Sequence, residues 1–229
     1  MIKLTFDLIL KALSNCVFEE LTSENYFEKV IKKMDKEILP RSYDAGATKL
    51  VLTPPQADFV IKIPFTGTEG VEDVEEGCFP YYPFEGANEP EGWDYCEAEL
   101  ICFNDALSEG VEDYFLPIEF IGFVQGHPIY IQKKAKTLHD TKICYIEGLL
   151  KDSNEYKQAQ STKELCRELD VYCFNAVWLS DFVNHFGKDA LKLLDTFLED
   201  YHIYDLHSHN IGYTLDGVPV IIDYGDYND

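Results

Sequence analysis

Tyr204-Asp205-Leu206-His207-Ser208-His209-Asn210-Ile211-Gly212, followed by Val220-Ile221-Ile222-Asp223-Tyr224-Gly225, is the stretch on which the reading of this 229-residue chain turns. Asp205 and Asn210 stand five apart, and Asp223 follows thirteen residues after Asn210, closing an apolar run ahead of an aromatic residue and a glycine. An acid at the end of a buried strand needs a metal ion or strong donors, because an uncompensated buried carboxylate is costly. His207 and His209 lack further ligands nearby in the loop. His207 therefore reads as a structural loop residue, while the role of His209 stays open.

Phosphoryl transfer from ATP needs this set: a carboxylate near the acceptor hydroxyl, with an Asn and a second carboxylate on metal ions that bridge the phosphates. In that order the two segments resemble the catalytic loop and D-F-G element of the protein-kinase-like superfamily, the latter written here Asp223-Tyr224-Gly225. The wording Asp205-Leu206-His207-x-x-Asn210-Ile211 is closer to the D-L-H-x-x-N of aminoglycoside and choline phosphotransferases than to the H-R-D-L-K-x-x-N of protein kinases. Ile203 and Tyr204 stand where the His and Arg of the latter would precede the Asp, so the resemblance implies no ordinary clamp for an activation-loop phosphate.

The resemblance extends upstream and covers about residues 42–225. Phe59-Val60-Ile61-Lys62 is similar to the V-A-I-K strand, whose Lys reaches the phosphates and pairs with a Glu on the next helix. Glu97 and Glu99 both offer that partner. Glu99 is preferred because Cys102 and Phe103, three and four residues on, share its face. The runs 118–124 and 129–134 flank Gln125-Gly126-His127 and resemble strands four and five of a kinase small lobe, with Gln132 entering the hinge. The glycine-rich phosphate loop is reduced to Gly46 in Asp44-Ala45-Gly46-Ala47-Thr48. The resemblance implies Asp205 as the catalytic residue, Asn210 and Asp223 on Mg²⁺, and Gly46, Lys62, Glu99 and Gln132 around ATP.

Outside those motifs, periodicity predicts two amphipathic helices over 5–38, the second capped by Thr22 or Ser23 and ended by Pro40. Short strands follow at 48–53 and 59–64 around Pro54-Pro55-Gln56. The stretch 66–93, rich in Gly, Pro, Glu and aromatics, reads as an acidic insertion. A helix is expected over 94–109, and the stretch 137–160 is weakly patterned. The capping-box pattern Ser161-x-x-Glu164 predicts a helix to about 186. A further helix follows over 189–201, then a hairpin around Asp216-Gly217. With the resemblance this implies an α+β, two-lobed kinase-like fold: a helical extension over 1–40, a β-rich small lobe over 41–135 and a reduced helical lobe over 136–229.

Composition narrows the function classes. Asp and Glu number 42 against 19 Lys and Arg, a net charge of −23, and no Lys or Arg occurs from Ile63 to Gln132. Such a chain is a poor match for phosphate-neutralising nucleic-acid binding or for an anionic membrane surface. It suits a very soluble protein whose 63–132 stretch is a solvated acidic face, or, as the sharper reading, a basic protein partner that this face recognises. Hydrophobic residues at 46% are ample for a core. No run approaches the ~20 apolar residues of a membrane span. Asp7 interrupts any signal-peptide core, and seven cysteines without a C-x-x-C pair read as reduced thiols. A cytoplasmic protein without structural zinc is expected.

Two functions are expected from these features. One is an ATP- and magnesium-dependent phosphotransferase acting on a protein Ser/Thr or a small-molecule hydroxyl. The other is a catalytically weak kinase-fold protein whose acidic surface engages a basic partner. Only four residues follow Gly225, where a protein kinase would continue with its activation segment and peptide-binding helices. This short form resembles small kinase-like proteins of bacteriophage genomes, which would place it in a host cytoplasm.

Overall fold

The computed structural model describes residues 4–39, 42–46, 48–66, 95–139 and 151–225. It is of the α+β class, with helices and two antiparallel sheets. By contact the chain divides into two units, Met1–Glu97 with Ile118–Lys133, and Ala98–Pro117 with Lys134–Asp229. Except for Thr66 and its hydrogen bonds to Leu21, the acidic insertion lies outside the described residues, as does Pro40.

The first unit is built on a five-stranded sheet, β1 (Tyr43–Ala45), β2 (Lys49–Leu52), β3 (Phe59–Pro64), β4 (Ile118–Val124) and β5 (His127–Lys133), in the order β1-β2-β3-β5-β4. Alternation separates its faces. Leu50, Leu52, Ile61, Ile63, Ile129 and Ile131 join Ile9, Leu13 and Val30 in one buried cluster. Each such aliphatic side chain contributes roughly 1.5–3 kcal/mol when fully buried. The opposite face is set by the register Lys49↔Pro64, Val51↔Lys62, Lys62↔Tyr130 and Val60↔Gln132.

The helices expected over 5–38 are shorter than predicted. α1 runs only Phe6–Ala12, with the Thr5 hydroxyl accepting from the Leu8 N–H at 3.4 Å. The second is a single π-type turn, Phe27–Ile31. Thr22 does engage the chain ahead of it, accepting from Glu24 at 3.3 Å through its hydroxyl. The apolar spacing that predicted long helices instead buries side chains of turns.

α2 spans Tyr95–Glu109, and the unit boundary falls within it. The rest of the second unit holds a three-stranded sheet, β6 (Ala135–Thr137), β7 (Ile211–Thr214) and β8 (Pro219–Ile221), and helices α3 (Asn154–Leu169), α4 (Ala176–Phe186) and α5 (Lys188–Asp200). In α5 the three-four spacing of Ala190, Leu191, Leu194, Phe197 and Leu198 supplies the buried stripe. These residues pack with Cys102, Phe115, Trp178, Phe182, Ile203, Ile221 and Tyr224.

The helix expected over 161–186 begins earlier and is two helices. Ser153 is the N-cap, its hydroxyl accepting from the Tyr156 N–H at 3.1 Å, and Ser161 lies inside α3. Asp170, left-handed at φ 56°, ends α3. Asn175 opens α4 by accepting from the Trp178 N–H at 3.0 Å. The apolar run Val171–Phe174 carries the helical pattern across this break and hides it.

Candidate active site

The loop after α5 is shaped around Asp205. The Leu206 N–H donates to the Tyr204 carbonyl at 2.8 Å, a three-residue turn centred on Asp205. Asn210, buried at 8% exposure, donates through its amide to the Asp205 carbonyl at 2.8 Å and to its carboxylate at 3.0 Å. The main-chain carbonyl of the same Asn210 accepts from Ile222 at 2.7 Å and from Asp223 at 3.2 Å. One residue thus holds both acids, the first with its side chain and the second with its backbone.

Asp223 is also fixed from its flanks. The Leu116 N–H donates to the Ile221 carbonyl at 2.8 Å. The Tyr224 hydroxyl, fully buried, donates to the Leu116 carbonyl at 2.7 Å while its ring stands edge-on to Phe115 at 5.1 Å. The Tyr224 hydroxyl therefore has a defined acceptor.

His207 does more than turn the loop. Its Nδ1 accepts from the His209 N–H at 3.1 Å, so the neutral ring carries its proton on Nε2. That nitrogen lies 3.5 Å from the Asp205 carboxylate. His209 stacks on His139 with centroids 4.0 Å apart. Among the described residues no group of three or more His, Cys, Asp or Glu is placed to hold a metal ion.

Gly212 follows directly. Trp178 Nε1 donates to the Gly212 carbonyl at 2.7 Å, and a Cβ on Gly212 would lie 2.0 Å from the Lys136 carbonyl oxygen. The next residue, Tyr213, donates its hydroxyl to Asp181 at 2.7 Å, and burial together with that carboxylate pushes the phenol up.

Lys62 lies in the first unit on β3, 4% exposed. Gln132, 1% exposed, sits within β5 on the same sheet face, diagonal to Lys62 by register. That face holds a residue the sequence reading passed over: Lys49, 5% exposed, lies on the same side of β2, by its register with Pro64. A lysine inside an otherwise apolar strand, two residues from Val51, was the available signal. Gly46 belongs to the β1–β2 turn, which its N–H closes by donating to the Lys49 carbonyl at 3.1 Å.

On α2, in the second unit, Glu99 is fully buried on the face that carries Cys102 and Ala106, while Glu97 is partly exposed. The two candidates thus differ in burial. Asp205, Asn210 and Asp223 are brought together in the second unit; Lys62, Gln132 and Gly46 belong to the sheet of the first.

Carboxylate and amide oxygens are of the kind that magnesium takes as ligands. Asn210 spends its amide protons on Asp205, so its amide oxygen and the Asp223 carboxylate are the groups of this segment that could take part in holding such an ion. Mg²⁺ takes one or two carboxylates and fills its remaining positions with phosphate and water oxygens. No protein-family model, curated protein or solved structure matches the chain. No described helix is long and apolar enough to cross a membrane.

Proposed function

We propose that this protein is a Mg-ATP-dependent phosphotransferase with a two-lobed kinase-like fold, passing phosphate to a hydroxyl of a protein or a small molecule. The observation that carries the reading is the double grip of Asn210 on Asp205 and on the Asp223 backbone. The Asp205 carboxylate and the Asp223 main chain, on separate segments, are tied to one residue, the first through its side-chain amide and the second through its main-chain carbonyl. The sheet order β1-β2-β3-β5-β4, with a buried Lys on its third strand, supports it further.

In this reading Asp205 orients the acceptor hydroxyl and takes its proton, with His207 Nε2 and the Asn210 amide steadying the carboxylate. The Asn210 amide oxygen and the Asp223 carboxylate would hold Mg²⁺, which would supply charge neutralisation at the phosphate oxygens. Lys62 positions the phosphates, and Glu99 and Gln132 belong to the same proposed nucleotide-binding set. Positioning and fixed charge supply most of the rate.

The β1–β2 turn favours a second reading. With Gly46 alone it offers a sparse backbone cradle for phosphate, as in a kinase-fold protein that binds a basic partner through acidic residues within 63–132 and transfers little or no phosphate. Both readings place the protein in a cytoplasm, a host's if it is phage-encoded. Transfer from γ-labelled ATP with Mg²⁺, or slow ATP hydrolysis, separates the two. Asp205→Ala is expected to lower it about 10³-fold; activity unchanged in that variant would remove Asp205 from the mechanism.

A further inference from the structure

The second unit contains a cavity of about 350 Å³ that the proposed chemistry does not use. Its floor is apolar, made by the buried Leu198, Ile203 and Leu206. Tyr172 and Tyr204 form its walls, with exposures of 69% and 51%, high for residues that carry so much apolar surface. Asp195 and Glu199, one turn apart on α5, complete the lining, to which no Lys or Arg contributes among the described residues.

The cavity is pre-formed. The Asp195 carboxylate accepts from the Tyr172 N–H at 2.9 Å, tying the α3–α4 connection to α5. On the other wall the Tyr204 hydroxyl lies 3.2 Å from His202 Nδ1. The Asp205 carboxylate is not part of the lining and is engaged by Asn210 and His207. The cavity is therefore a site beside the catalytic loop rather than the reacting centre.

Each wall selects for the same chemistry. Tyrosine faces attract a cation through the ring quadrupole, more so when the cation is planar and weakly hydrated. Carboxylates in the lining add charge and accept N–H donors, while the apolar floor accommodates a methylene stem. A neutral apolar ligand would leave the acids unused, and an anion would be repelled. The geometry points to a docking pocket for an arginine side chain of a partner protein. The net charge of −23 draws a basic segment in at long range, and the pocket gives that segment its register.

The test is an amide-resolved NMR titration of the full chain with the blocked peptide acetyl-Gly-Arg-Gly-amide. The same peptide carrying citrulline or lysine, and free arginine, serve as comparisons. The expected result is saturable shifts confined to the amides around Tyr172, Glu199 and Tyr204, weakened about fivefold by Tyr172→Ala and by Glu199→Gln. Citrulline, which keeps the shape and loses the charge, should leave those amides unmoved. Shifts spread over the acidic surface, equal binding by citrulline or lysine, tighter binding of free arginine, or affinity unchanged in both variants would each overturn the proposal. None of these outcomes depends on phosphate transfer.

Discussion

Gly46, in the β1–β2 turn of the first unit, and Gly212, on β7 of the second, have opposite surroundings. A Cβ added at Gly46 would meet no atom of the described residues within 4 Å; one at Gly212 would lie 2.0 Å from a backbone oxygen and 2.9 Å from the next two backbone atoms. Lys136 on β6 and the Trp178 indole crowd Gly212 from two sides. The chain has concentrated close packing and hydrogen bonding where the carboxylates are held, and little at the turn. The fold does not demand glycine at 46, so any advantage of glycine there comes from what approaches the turn.

Substitution is the direct way to break this comparison, and Gly212→Ala should have the largest effect. The clash is with backbone, which cannot swing aside as a side-chain tip can, and a loss of about 4 kcal/mol or more is expected in urea denaturation. An alanine tolerated to within about 1 kcal/mol would mean that β6 and β7 do not approach so closely.

The first unit has its own sensitive point, away from the turn. His127, buried and stacked on Phe18 at 4.7 Å, donates from Nε2 to the Pro64 carbonyl at 2.9 Å. Burial lowers its pKa from 6.5 to about 4, against a smaller opposing effect of that hydrogen bond. In the unfolded chain His127 protonates as pH falls through 6.5, while in the folded chain it stays neutral to about 4. Its contribution is fully present above 6.5 and is lost as pH falls from there towards 4, by about 3 kcal/mol. Unfolding free energies of wild type and His127→Phe over that range should diverge by this amount. Parallel pH profiles would place the acid sensitivity elsewhere.

Gly46→Ala should give the smallest effect. With open space around the position, stability should change by less than about 0.5 kcal/mol. A loss of ATP affinity without loss of stability would sharpen the contrast, by showing that the glycine serves the nucleotide.

The same contrast runs through what could be read from the chain. The strand bearing Lys62, the runs at 118–124 and 129–134, and the helices at 94–109 and 189–201 all emerge with boundaries shifted by only a residue or a few. Each is long enough for its hydrophobic period to be expressed. β1 and β6, three residues each, are too short to express one and were missed. Ser161-x-x-Glu164 misled because a polar face inside a helix can spell a capping box, while the true cap, Ser153, is followed three residues later by Tyr156 rather than Glu.

At the site, Asp205 and Asn210 were marked out by their spacing together with the resemblance it carries, and their hydrogen bonds close within one loop. The tautomer of His207, the burial of Lys49 and the anchoring of Tyr224 on Leu116 depend on partners distant in sequence or on loop geometry. No local pattern encodes them.

Thermal unfolding of wild type and Asp223→Ala, each with and without saturating Mg-ATP, tests the central claim most directly. A ligand that binds only the folded state must raise the midpoint. The account predicts a rise of about 5 °C or more in wild type, dependent on Mg²⁺ and absent in Asp223→Ala. No rise in wild type, or an equal rise in the variant, would contradict it.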